Sequence, residues 1–143
     1  MKNSYYRPIS LLCIISKTLE RIAYDKIISF VSSHISSRQF GFRQNHSTVQ
    51  QLLIFLNSIY ESFGSTTQTG VIYLDFKKAF DSVAHNELLF KLWCFGIQGN
   101  LWKWFRGYLA SKMQCVTIGS SISALLPVIS GVPQGSILGP LLL

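Results

Sequence analysis

Apolar positions along the chain fall into short periodic runs separated by Gly-, Ser- and Asn-rich breaks. Leu12, Ile15, Leu19, Ile22, Ala23, Ile27 and Phe30 recur near the 3.6-residue period, which predicts a helix over about residues 12–30. The polar stretch SSHISSRQFGFRQNH after it reads as a loop. Ser47 and Gln50 then form the S-x-x-Q pattern of a capping box, in which the two side chains satisfy free amides at a helix start. Val49, Leu52, Leu53, Leu56, Ile59, Tyr60 and Phe63 line one face of the helix this box would open, and GSTTQTG follows as a turn-rich link.

The second half changes period. VIYLDF, with β-branched and aromatic residues ahead of Asp75, predicts a short buried strand. NELLFKLWCFG predicts a helix starting at Asn86 and ending at Gly96. GNLWKWFRGYLAS predicts a second amphipathic helix with Leu101, Trp104, Phe105 and Tyr108 on one side. QCVTIG and ALLPVIS flank a Gly-Ser turn and read as a hairpin. GVPQGSILGPLLL passes from a tight turn into a helix-like run. There is no internal repeat and no low-complexity segment. Helices and strands mixed without βαβ regularity predict an α+β layer fold.

Composition sharpens this picture. The 143 residues suit one domain or a piece of a larger fold. Hydrophobic residues make up 48% and charged residues 13%, against about 25% charged in ordinary soluble domains. A membrane protein and a buried segment of a bigger fold both fit that shortage. Residues 113–143 carry no charge, which is long enough for a membrane span. Gly119, Gly131, Gly135, Gly139, Pro127, Pro133 and Pro140 interrupt the stretch, however, so strands and turns buried in protein are expected and no membrane span.

The net charge is +7, from thirteen Lys and Arg against six acids, and the basic residues are scattered. A polyanion partner and a merely solvated basic face both fit. Cys13, Cys94 and Cys115 are odd in number and lack a C-x-x-C pair, which argues against a disulfide framework or a zinc site. A reducing, intracellular compartment follows as the default, with nucleus and cytoplasm not distinguished. MKNSYYRPIS has no apolar core of a signal peptide, and none is expected.

YLDFKKAFDSV places Asp75 and Asp81 six positions apart, and Asp75 follows an apolar run. A carboxylate at the end of a rigid strand is well placed to hold a metal ion, and desolvation there demands a cationic partner. From the residues alone two readings stay open: a bound Mg²⁺, or an ion pair with Lys77 or Lys78.

YRPISLL, QFGFRQNHST, YLDFKKAFDSV and GVPQGSILGPLLL occur in that order. Together, from Tyr6 to Leu143, they closely resemble the reverse transcriptase domain of non-LTR, LINE-type, jockey-like retrotransposons. The resemblance implies a partial right-hand polymerase, with a fingers-like segment at residues 1–68 and an incomplete palm at 69–143. It implies Asp75 as the first catalytic, metal-binding aspartate, with the backbone carbonyl of Phe76 helping to hold the metal. Phe80 matches the position under the incoming sugar, where a ring would clash with a ribose 2′-hydroxyl, a role compatible with core packing. Arg43 resembles the fingers residue that reaches the triphosphate, and Gln134 the glutamine that touches the incoming nucleotide. Pro133 and Gly135 would shape the turn around it, Gly135 by allowing close backbone approach. Asp81 belongs to the family pattern, with a structural role such as a local cap or a basic pair at least as well supported. His46 reads as structural. The implied partners are an RNA template, a DNA primer and deoxynucleoside triphosphates.

Two-metal phosphoryl transfer needs ions about 3.5–4 Å apart, more than one aspartate can hold. The resemblance implies that the remaining carboxylates come from a Tyr/Phe-Ala-Asp-Asp turn downstream of PQG. The chain contains no Asp-Asp and no acid after Gln134. The expectation is a fragment with half an active site, ending in the helix before that turn, without thumb or endonuclease and inactive alone. A non-catalytic nucleic-acid-binding remnant and a membrane-associated small protein are the competing expectations.

Overall fold

The computed structural model describes residues 7–64 and 68–143; Tyr6 and residues 65–67 of the GSTTQTG link lie outside the described residues. The chain divides into two compact units, one built from the segments up to His34 and from Lys78 to Leu143, the other from Ile35 to Lys77.

In the first unit, α1 spans Ile14–Val31, and Cys13 heads it with its sulfur accepting the Ser16 amide. Bonds from the Ser16 hydroxyl and amide hold that thiol below its ordinary range. The buried stripe of α1 is Glu20, Ala23, Ile27 and Val31. It is rotated from the stripe predicted by periodicity, because Ile15, Leu19, Ile22 and Phe30 are exposed. A short 3₁₀ turn, Ser32–His34, follows α1 and stacks the His34 ring on Phe95 at 4.8 Å.

Helix α3, His85–Cys94, buries Leu88 and Leu92; α4, Gly99–Leu109, buries Phe105 and Leu109. The two pack together through the Trp102 indole N–H, which donates to the Leu89 carbonyl at 3.0 Å, and through the perpendicular Trp93–Trp102 pair. Gly96 stands in the left-handed region at φ 87°, the usual glycine at a helix C-terminus. Beyond α4 the predicted hairpin is present as two short antiparallel ladders. β1, Met113–Gln114, pairs with β4, Leu126–Pro127, and β2, Thr117–Ile118, pairs with β3, Ser121–Ile122, around Gly119–Ser120. Between the ladders the Ser123 hydroxyl replaces a backbone acceptor for the Val116 amide. The closing run is helical only over α5, Gly139–Leu142. Val132, Leu138 and Leu142 complete a core with Ile27, Leu88, Leu92, Ile97 and Phe105.

In the second unit, α2 spans Thr48–Phe63 and opens with the predicted capping box: the Gln50 amide donates to the Ser47 hydroxyl, and the Ser47 amide donates to the Gln50 side chain at 2.9 Å. The predicted apolar face lies open, with no residue of α2 buried.

The predicted strand VIYLDF is a correction. Residues 71–76 take no regular structure and are exposed, Leu74 at 92%. A strand exists only when a neighbouring backbone pairs its amides, and the described ladders lie elsewhere. β-propensity supplied the candidate but not the partner. With helices and small antiparallel ladders, the architecture is compatible with α+β. No helix among the described residues is long and apolar enough to cross a membrane.

Candidate nucleotide-binding turn

The residues singled out in the sequence fall into two groups. Phe80, Asp81, Pro133, Gln134 and Gly135 belong to the first unit; Arg43, Asp75 and Phe76 belong to the second.

In the first unit the segment 80–83 lies against residues 130–132. The Gly131 amide donates to the Val83 carbonyl and the Val132 amide to the Phe80 carbonyl, both at 2.8 Å. The Ser130 hydroxyl donates to the Asp81 carbonyl at 3.1 Å. The approach leaves no room for a side chain: a Cβ at Gly131 would stand 2.8 Å from the Phe80 oxygen and 2.9 Å from Asp81 Cα. Asp81 thus contributes its backbone here. Its amide also closes the local turn onto the carbonyl of Lys78, which sits at φ 54°. Left-handed non-glycine residues are uncommon and concentrate at turns and functional sites.

The PQG turn continues directly from this pairing. The Ser10 amide donates to the Gln134 carbonyl at 2.8 Å, tying the RPIS segment to the turn. Gly135 has φ 99°, and a Cβ there would meet nothing closer than 3.4 Å. That φ favours glycine by backbone conformation, while among the described residues the backbone approaches that exclude a Cβ are at Gly131 and Gly139. The Ser136 hydroxyl donates to the Pro133 carbonyl and accepts the Gly139 amide, both at 2.8 Å. With its backbone so engaged, Gln134 is half-buried, and its side-chain amide has no hydrogen-bond partner among the described residues.

Two residues that sequence reasoning missed hold this turn. His85 Nε2 lies 2.8 Å from the Gly131 carbonyl; since that oxygen only accepts, Nε2 carries the proton. Glu20, 1% exposed, accepts the Tyr108 hydroxyl at 2.6 Å through Oε1 and the Ile137 amide at 2.8 Å through Oε2. The Leu138 amide adds a longer bond to Oε2 at 3.4 Å. Burial, with Glu20 second, raises the Tyr108 hydroxyl far above the usual phenol range. Lys112 Nζ lies 3.4 Å from the centre of the Tyr108 ring, and burial lowers its pKa despite the Glu20 charge. No local motif marks these partners, because they stand 46 to 118 residues apart in the chain.

In the second unit, Arg43 Nη1 donates to the Ser36 carbonyl at 2.9 Å and to the Gln39 carbonyl at 3.4 Å, so the guanidinium braces its own loop. Phe42 and Asn45 beside it have φ 58° and 61°. His46 packs edge-on against Phe40, and its Nδ1 lies 3.0 Å from the Gln44 carbonyl. Asp75 and Phe76 are exposed within the irregular segment 71–76, whose Tyr73 meets Phe55 at 6.3 Å. No three His, Cys, Asp or Glu side chains among the described residues gather as a metal-ion cluster. Mg²⁺ demands a near-octahedral oxygen shell, and Asp75 with one carbonyl does not by itself hold the ion.

The profile of the family described as "Reverse transcriptase (RNA-dependent DNA polymerase)" matches residues 1–143. The chain belongs to the reverse transcriptase family. It is 38% identical over 145 residues to "Probable RNA-directed DNA polymerase from transposon X-element" of Drosophila melanogaster, and 36% identical over 142 residues to the corresponding protein of transposon BS from the same species. It is 35% identical over 139 residues to "RNA-directed DNA polymerase from mobile element jockey" of Drosophila funebris. Each match covers 96% of this chain, and the chain spans about 15% of the length of each of these relatives. The expected likeness to non-LTR, jockey-like elements is thereby borne out. Enzymes of this family work on nucleic-acid templates with deoxynucleoside triphosphates and divalent metal ions.

Proposed function

We propose that this chain forms the fingers-like part, residues 1–68, and an incomplete palm, residues 69–143, of an RNA-directed DNA polymerase that copies a retrotransposon RNA from a DNA primer. The observation that carries the reading is the pairing of residues 80–83 with 130–132, which sets Phe80 and the PQG turn in one place. There Phe80 would lie under the sugar of an incoming deoxynucleotide, Gln134 would contact that nucleotide with its side-chain amide, and Pro133 and Gly135 would shape the turn. Asp75 would act as the first catalytic aspartate, and Mg²⁺ is the ion proposed for it and the Phe76 carbonyl. Arg43 would reach the triphosphate, since a guanidinium binds phosphate oxygens in pairs. Two-metal transfer needs carboxylates beyond Asp75. Its setting is intracellular.

The test is the selectivity of a complete polymerase containing these residues. Phe80→Ala opens space at the 2′ position and is expected to lower discrimination against ribonucleotides by at least about tenfold. Unchanged discrimination in a folded, active variant would remove the gate assignment.

A further inference from the structure

Glu20 is a charged side chain in a core position whose helical neighbours on the same stripe are Ala23, Ile27 and Val31. Burying a carboxylate is costly unless several donors satisfy it. Three converge here from distant parts of the chain: the Tyr108 hydroxyl, and the Ile137 and Leu138 amides. Leu138 is the N-cap of α5, where a helix start leaves N–H groups without an intrahelical acceptor, and Ile137 stands one residue before it. A leucine or methionine at position 20 would pack on the same stripe but leave them unsatisfied.

We propose that Glu20 is a positioning residue for the nucleotide-binding turn: its carboxylate anchors residues 137–138 and thereby holds the Gln134 side chain in place. Tyr108 sets the orientation of the carboxylate by occupying Oε1, which leaves Oε2 for the amides. The Ser10 amide secures the other side of the turn at Gln134. This inference rests on the reading of Gln134 as a nucleotide contact.

The test has two arms. In the first, hydrogen exchange of the chain is followed at single-residue resolution for the wild type, Glu20→Met, Glu20→Gln and Tyr108→Phe. Loss of a bond to a charged acceptor is expected to speed exchange at Ile137 and Leu138 by about tenfold to a hundredfold in Glu20→Met. Exchange in α3 should stay unchanged, and Glu20→Gln, which keeps one acceptor oxygen, should restore much of the protection. Unchanged exchange at both amides, or an equal rise throughout the first unit, would overturn the anchor. If Glu20→Met does not fold, Tyr108→Phe decides: a rise confined to residues 137–138 supports the anchor, and none overturns it. In the second arm, a complete polymerase containing these residues is assayed for deoxynucleotide incorporation. Glu20→Met is expected to raise KM for the nucleotide more than it lowers kcat, with partial rescue by Glu20→Gln; equal KM values in wild type and Glu20→Met would overturn the positioning role. Gln134→Ala in the same enzyme separates the two claims. An unchanged KM there would overturn the nucleotide role of the turn, and with it the purpose of the anchor, while the exchange result would stand.

Discussion

The Tyr108 hydroxyl is buried and donates to a carboxylate, and both circumstances favour its neutral form. Its pKa is raised in the fold, so its contribution to stability is complete below the ordinary value of 10.0 and is lost as pH climbs above it. Lys112 is shifted downward and works in the opposite sense, but it is present in both wild type and Tyr108→Phe and cancels in their difference. The stability advantage of wild type over Tyr108→Phe should therefore hold constant from neutral pH to about 9 and shrink above about 10. Urea unfolding at a series of pH values measures this, and an advantage that stays flat into the alkaline range would contradict it. Other residues explain why part of the site was legible. Pro133, Gln134, Gly135 and Phe80 could be named as candidates because they lie in contiguous motifs whose order is itself informative. Glu20 and His85 could not, because a lone carboxylate on a helix reads as solvated and their partners are fixed only by tertiary packing.

At the scale of elements, the helices follow from local physics and were legible within a few residues. The capping box is the clearest case, since Ser47 and Gln50 are three residues apart and satisfy each other without help from the rest of the fold. No residue of α2 is buried, so its stability leans on that cap more than packing would allow elsewhere. Ser47→Ala is expected to destabilise α2 by about 1 kcal/mol, seen as faster amide exchange over residues 48–51. Exchange there equal to wild type would show that the cap is redundant. The buried stripe of α1 is offset by a fraction of a turn from the periodic one because Leu19, Ile22 and Phe30 fit the period as well as the residues that are buried. The segment 71–76 departs from its predicted strand for a different reason: strand pairing is non-local, and apolar β-formers do not carry the identity of their partner.

For the molecule as a whole, the net charge of +7 on a chain with few charges of any kind is the broadest feature relevant to a nucleic-acid polymerase. Binding of unstructured RNA is expected to be weak, indifferent to sequence, and to fall steeply as salt rises, because it rests on counterion release. A salt titration of RNA affinity reads this directly; affinity independent of salt would remove the electrostatic account. The fold class was legible from the alternation of periods, and the family from four motifs in order, whereas the division into units at His34 and Lys77 left no compositional mark. Asp75 is the residue on which the polymerase reading depends, and its role is read by primer extension on an RNA template with deoxynucleotides and Mg²⁺. A complete polymerase containing this chain should extend the primer, and Asp75→Ala should cut the rate by about a thousandfold or more, the scale of losing metal-borne charge stabilisation. Extension by the Asp75→Ala enzyme at the wild-type rate would contradict the account.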